Sequence, residues 1–140
     1  MFAVLDTNHF VEMVDGSPLG DRLMDRVRER KAQLFTTIIT VQETSQGWFA
    51  AINRHAPGMA QVEAYEDLHH SLDAFCQIIS LHFDREAAAE FEKLKKLRLR
   101  VGTMDLKIAA ICLAHDAVLL TRNLVDFEKI PALRIENWLD

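Results

Sequence analysis

Four acidic residues stand at positions where carboxylates could work together: Asp6, Glu43, Asp105 and Asp126. Asp6 follows at once on the apolar run Phe2-Ala-Val-Leu5 and is itself followed by Thr7 and Asn8. A short apolar run without polar alternation reads as a strand buried on both faces, in the middle of a parallel sheet. In open α/β sheets, chemistry collects beyond the carboxyl ends of such strands. Glu43 opens a helix after a second strand, Asp105 opens the helix that leads into a fourth, and Asp126 follows that fourth strand. If the strands are parallel, all four acids can meet at one edge of the sheet. Like charges about 4 Å apart repel by roughly 1 kcal/mol in water, and by more when partly buried. Hard divalent cations such as Mg²⁺ or Mn²⁺ would compensate, because they prefer oxygen ligands. They can also activate a water towards a phosphodiester, so no His or Ser nucleophile is required. A carboxylate at a helix start can equally be a cap or a dipole partner.

The elements that would position these acids alternate between strand and helix. Ser17-Pro18 starts a helix, with Ser17 as N-cap and Pro18 at the first position. Residues 34–37 are the second strand. Thr40 can cap a helix in which Val41, Thr44, Trp48 and Ile52 share a face, which puts Glu43 in the first turn. Residues 59–75 form a second helix, with Val62, Tyr65, Leu68, Leu72 and Phe75 as its stripe. Residues 77–81 are the third strand, and Asp84 caps a helix whose Ala87, Phe91, Leu94 and Leu97 face inwards. A compact helix spans 104–115. The fourth strand is 118–121, followed by a polar loop, and 133–135 is a short fifth. This alternation implies parallel crossovers and an α/β three-layer sandwich around a mostly parallel sheet of four to five strands. The 140 residues make one domain, 1–140.

Charge and composition narrow the function. Apolar residues are 49% and charged residues 26%, an ordinary globular mix. A net charge of −5 argues against a general electrostatic nucleic-acid binder but not against a nuclease, whose metal ions offset an acidic site. Cys76 and Cys112 are isolated and read as buried small apolar residues in a reduced compartment. No run approaches the roughly 18 apolar residues of a membrane span, and the strand beginning at residue 2 leaves no room for a signal peptide. A cytoplasmic protein, with no membrane association, is expected.

The order of the motifs carries more than any one of them. Val4-Leu-Asp-Thr-Asn8, Ile38-Ile-Thr-Val-Gln-Glu43, Gly102-Thr-Met-Asp-Leu-Lys-Ile-Ala-Ala110 and Leu120-Thr-Arg-Asn-Leu-Val-Asp-Phe127 resemble the successive signatures of PIN-domain nucleases. The end of the chain, Ile130-Pro-Ala-Leu and Glu136-Asn-Trp138, is similar to the tail of the VapC-type toxins of bacterial toxin–antitoxin pairs. The resemblance implies a Mg²⁺- or Mn²⁺-dependent endoribonuclease. Asp6, Glu43, Asp105 and Asp126 match the family's acidic catalytic and metal-site positions. Thr7, Asn8 and Asn123 match polar residues that orient carboxylates or metal-bound water. It also implies a homodimer, a small cognate antitoxin whose tail fills the acidic groove, and a structured or transfer RNA substrate. Gln42 and Thr44 around Glu43, and Lys107 near Asp105, depart from the usual pattern. Lys107 could pair with an acid or touch a phosphate.

Several features stay open between readings. The run Lys93–Arg100 carries five positive charges in eight residues, which suits either an RNA backbone contact or a solvated helix face. Arg122, in the site loop, suits a substrate phosphate or a neighbouring acid. Trp48 and Phe49 suit a dimer or antitoxin surface or the core. The six histidines have no metal-ligand spacing; His9, near Asp6, is the one closest to the site in sequence. The alternative from another class is a non-catalytic PIN-like module that binds RNA or protein. A phosphotransferase of the haloacid dehalogenase kind would want a second Asp two residues after the first, where this chain has Asn8.

Overall fold

A computed structural model describes all residues, 1–140. Five strands form one all-parallel sheet: β1 (Phe2–Leu5), β2 (Gln33–Thr37), β3 (Ile79–Leu81), β4 (Val118–Leu120) and β5 (Ile135–Glu136), in the order β3-β2-β1-β4-β5. The first strand in sequence is therefore the central one. Its side chains alternate between two cores, as the period of a strand demands. Val4 faces a cluster with Leu119, Phe127 and the small residues Ala109 and Ala110, whereas Ala3 and Leu5 face one with Phe10, Leu23, Phe75 and Trp138. Helices on both faces complete the three layers expected from the sequence.

The helices are α1 (Thr7–Asp15), α2 (Pro18–Arg30), α3 (Ile38–Asn53), α4 (Val62–Phe75), α5 (Arg85–Lys96), α6 (Thr103–Ala114) and the short α7 (Leu124–Phe127), with one 3₁₀ turn at Met59–Gln61. Ser17 caps α2 through the Gly20 N–H, 3.0 Å away, and Asp84 caps α5 through Ala87 at 3.0 Å. Gly20 lies against α1 so closely that a Cβ there would collide with the Glu12 carbonyl. Glycine is needed at this position for packing, not for its backbone angles.

Some expectations are corrected. Helix α3 begins at Ile38 and is capped by Thr37, whose Oγ1 accepts from the Thr40 N–H at 3.1 Å, so Thr40 is inside the helix and Glu43 lies in its second turn. The inward face of α4 is buried Ala64 and Phe75 with half-buried Leu68 and Ser71. Of the expected stripe, Val62, Tyr65 and Leu72 stand exposed, because α4 packs chiefly on α3, which covers a narrower face than the apolar spacing marks. Leu97 is 53% exposed, since α5 ends at Lys96 and the chain turns outward. The polar loop after β4 contains α7. Cys112 is buried in the core, but Cys76, at the end of α4, is exposed.

Candidate active site

Strand register fixes where the first acid goes. Leu5 pairs with Leu120 across β1 and β4, so Asp6 and Thr121 leave the sheet side by side. The Asp6 N–H donates to the Leu120 carbonyl at 2.9 Å, extending the ladder by one bond. Asp6 is also the N-cap of α1, with Oδ1 accepting from the Thr7 N–H at 2.9 Å. Its other oxygen, Oδ2, accepts from the Thr121 hydroxyl at 2.9 Å, and that hydroxyl in turn accepts from the Asn123 N–H at 3.0 Å. Buried Thr121 thus holds the carboxylate in one orientation and sets the start of the loop beyond β4.

Glu43 on α3 and Asp105 on α6 come close enough to Asp6 for the charges to be felt, and the two helices also touch each other. Burial, then the charges of Asp105 and Asp6, hold the Glu43 carboxyl above the usual range. Burial, then Asp6 and Asp126, do the same for Asp105, in the first turn of α6. No Lys, Arg or His makes an ion pair with Asp6, Glu43 or Asp105. These three acids therefore form an inner group whose mutual repulsion has no protein counter-charge. Asp126 differs. Its Oδ2 accepts from Asn123 Nδ2 at 3.1 Å and its Oδ1 from Lys129 Nζ at 3.3 Å, and these bonds pull its carboxyl below the usual range. It forms the outer, compensated edge of the group.

The remaining sequence candidates are placed as follows. Thr7 is half-buried and Asn8 exposed, both in the first turn of α1 beside Asp6. Asn123 grips Asp126 with its side-chain amide. Arg122 is turned away from the acids and donates from Nε and Nη2 to the two carboxylate oxygens of Asp140, at 3.2 and 3.0 Å. Of its two readings, the pairing with an acid is the one realised. Lys107 pairs with no acid; its ammonium lies over the Phe83 ring, 5.9 Å from the centroid. His9 is fully buried, and its Nε2 accepts from the Trp138 N–H at 3.1 Å. Burial, with Arg122 and Arg26 nearby, lowers its pKa to about 4, so it is a neutral structural residue.

Sequence reasoning missed Thr121 and Lys129. Thr121 could have been found from register alone, as the residue opposite Asp6 on the adjacent strand. Lys129 lies three residues after Asp126, a helical spacing hidden by reading 122–127 as a loop.

The donor set is all carboxylate oxygen, which suits a hard divalent cation. No group of three or more acidic, His or Cys side chains is closed up as a ready-made metal cage. Mg²⁺ does not require one, since it is commonly held by one or two carboxylates with waters completing the octahedron. The uncompensated inner acids fit such an ion.

A family model described as PIN domain matches residues 3–133. The chain belongs to the PIN-domain family. Among its relatives, Ribonuclease VapC2 of Haemophilus influenzae is 27% identical over 142 residues, spanning 97% of each chain. The tRNA(fMet)-specific endonuclease VapC of Salmonella typhimurium is 28% identical over 141 residues, spanning 96% of each. Among solved structures, VapBC2 from Rickettsia felis bound to a DNA fragment from their promoter matches with a TM-score of 0.76 at 22% identity, covering 99% of both chains. VapBC-1 from nontypeable Haemophilus influenzae matches at 0.72 and 23% identity, covering 100% of both. These structures share the fold. No helix is long and apolar enough to cross a membrane.

Proposed function

We propose that this chain is a VapC-type endoribonuclease, the toxin of a toxin–antitoxin pair, acting in the cytoplasm as one domain over 1–140 with Mg²⁺ or Mn²⁺. The observation that carries the reading is the inner group Asp6, Glu43 and Asp105, brought to one sheet edge with no cation of the protein against it. An acidic cluster that only supported the fold would have been relieved by a Lys or Arg, as Asp126 is by Lys129. The names of the full-length relatives support RNA as the substrate, and transfer RNA as its class. The structural neighbours titled as VapBC complexes support a small antitoxin partner, and resemblance supports a homodimer.

Asp6, Glu43 and Asp105 would hold the ion, with Asp126 at its outer side. A bound Mg²⁺ or Mn²⁺ supplies charge stabilisation at the phosphate and makes a water more acidic. The chain's own part is orientation. Thr121 and the Thr7 N–H fix both oxygens of Asp6. Glu43 is held above the ordinary carboxylate range by burial and by Asp105 and Asp6, a strain that a bound cation would relieve. Thr7 and Asn8 line the same helix start and contribute polar contacts to substrate or water, and Asn123 keeps Asp126 in place.

The test is incubation of purified chain with a transfer RNA transcript, with Mg²⁺ or Mn²⁺ and with EDTA. Cleavage should need the divalent ion and be lost in Asp6→Ala and in Asp105→Ala. Cleavage retained in both variants overturns the reading. Binding of RNA without any cleavage by the parent chain points instead to a non-catalytic module.

A further inference from the structure

The chain is acidic overall, yet one stretch next to the site is strongly basic. Of the five cations in Lys93–Arg100, only Lys93 is paired, with Glu90 at 3.4 Å. Lys95, Lys96, Arg98 and Arg100 are exposed and make no ion pair. The stretch spans the last turn of α5 and the connection, residues 97–102, that leads into α6 and Asp105. The two helices pack together along their length, and so short a connection makes them antiparallel. The basic end of α5 therefore lies beside the acidic start of α6.

The connection is fixed rather than loose. Leu99 and Val101 pack against the core cluster, while Arg100 between them and Arg98 before them are exposed. Arg98 adopts a left-handed backbone conformation, φ 52°, where glycine is the usual choice. A long cation stands there instead. Lys129 joins this strap to the site: its Nζ donates to the Arg100 carbonyl at 3.2 Å and to Asp126 Oδ1 at 3.3 Å. The basic strap and the outermost site acid thus share one ammonium group.

An acidic site repels a polyanion, and cations along the approach reverse the local field. We infer that Lys95, Lys96, Arg98 and Arg100 form a track for the backbone phosphates of the substrate RNA leading into the carboxylate site, with Lys129 as the residue that positions it. This rests on the RNA-cleaving reading above and deepens it. Such contacts carry no base information, so the track sets affinity and register along the strand rather than sequence choice. Lys129 is a positioning residue, since it holds the Arg100 backbone.

Binding and cleavage are measured separately. A fluorescein-labelled transfer RNA transcript is titrated by anisotropy into the Asp6→Ala chain, without divalent ions, across a salt series. Adding Lys95→Ala, Lys96→Ala and Arg98→Ala together should weaken binding about tenfold or more near 0.1 M salt. It should also lower the slope of log K against log salt by about 2, at roughly 0.7–0.9 per charge removed. Arg85→Ala, a charge removed at the other end of α5, should change neither. In the otherwise native chain the triple variant should raise KM with kcat within about twofold of the parent, and Lys129→Ala should also raise KM, with Lys129→Arg restoring it. Unchanged affinity and salt slope in the triple variant overturn the inference. If the parent cuts no RNA with any divalent ion, the hydrolase reading fails, and the anisotropy series still decides whether the track binds RNA.

Discussion

Glu43 and Asp105 are held above their ordinary range by burial and by like charge, so ionising them costs folding stability. For a carboxyl with a raised folded pKa, the favourable contribution is present below the unfolded pKa and is lost as pH rises through the folded one. Near neutral pH both acids are therefore a burden on the fold. Glu43→Gln and Asp105→Asn should each raise Tm, by about 2–4 °C per kcal/mol relieved in a chain of this size, while abolishing cleavage. Mn²⁺ should raise the Tm of the native chain, by linkage, and should do so much less for Asp105→Asn. Differential scanning fluorimetry with and without Mn²⁺ checks both; a fall in Tm for both substitutions would sink the argument. His9 has the opposite sign. Its pKa is lowered to about 4, first by burial and then by the charge of Arg122, and the neutral ring accepts from the Trp138 N–H through Nε2. A base with a lowered folded pKa stabilises above its unfolded value and loses that contribution as pH falls. Stability from urea unfolding should drop between about pH 6.5 and 4, by about 3 kcal/mol, and the drop should shrink in His9→Gln.

At the scale of elements, α3 is the helix whose placement matters most, because it carries Glu43. Its start is fixed by Thr37, which is buried and bonded to both the N–H and the hydroxyl of Thr40. Thr37→Ala should cost about 1 kcal/mol through loss of the cap and lower kcat more than Thr40→Ser does, which a paired denaturation and cleavage assay would read. The run Ile38–Glu43 pointed to the right helix, but two threonines three residues apart are both competent caps. Only the length of β2, set by pairing with β1 and β3, chooses between them. Elsewhere the sequence was legible where pattern and packing agree. The central strand, the cap at Asp84 and the gathering of acids were all readable, because strand period, capping chemistry and sheet polarity depend on local residue types. The stripe of α4 was readable only in part, since Val62, Tyr65 and Leu72 share its apolar spacing but lie outside the face that packs, and how much of an apolar arc is covered depends on the neighbouring helix α3. The pairing of Arg122 with Asp140, which lies 18 residues away in sequence, was not legible.

For the whole molecule, the order β3-β2-β1-β4-β5 has a consequence for the chain during its synthesis. The strand made first occupies the middle of the sheet and stays unpaired on one side until residues 118–120 exist to join it. Asp6 takes its backbone bond from Leu120 and its side-chain bond from Thr121. A nascent chain that has not yet reached this point carries Asp6, Glu43 and Asp105, but only the Thr7 N–H holds the first of them, and its second oxygen lacks Thr121. The carboxylate site is completed only as the last strands emerge, so a chain still on the ribosome holds an incomplete site for most of its translation.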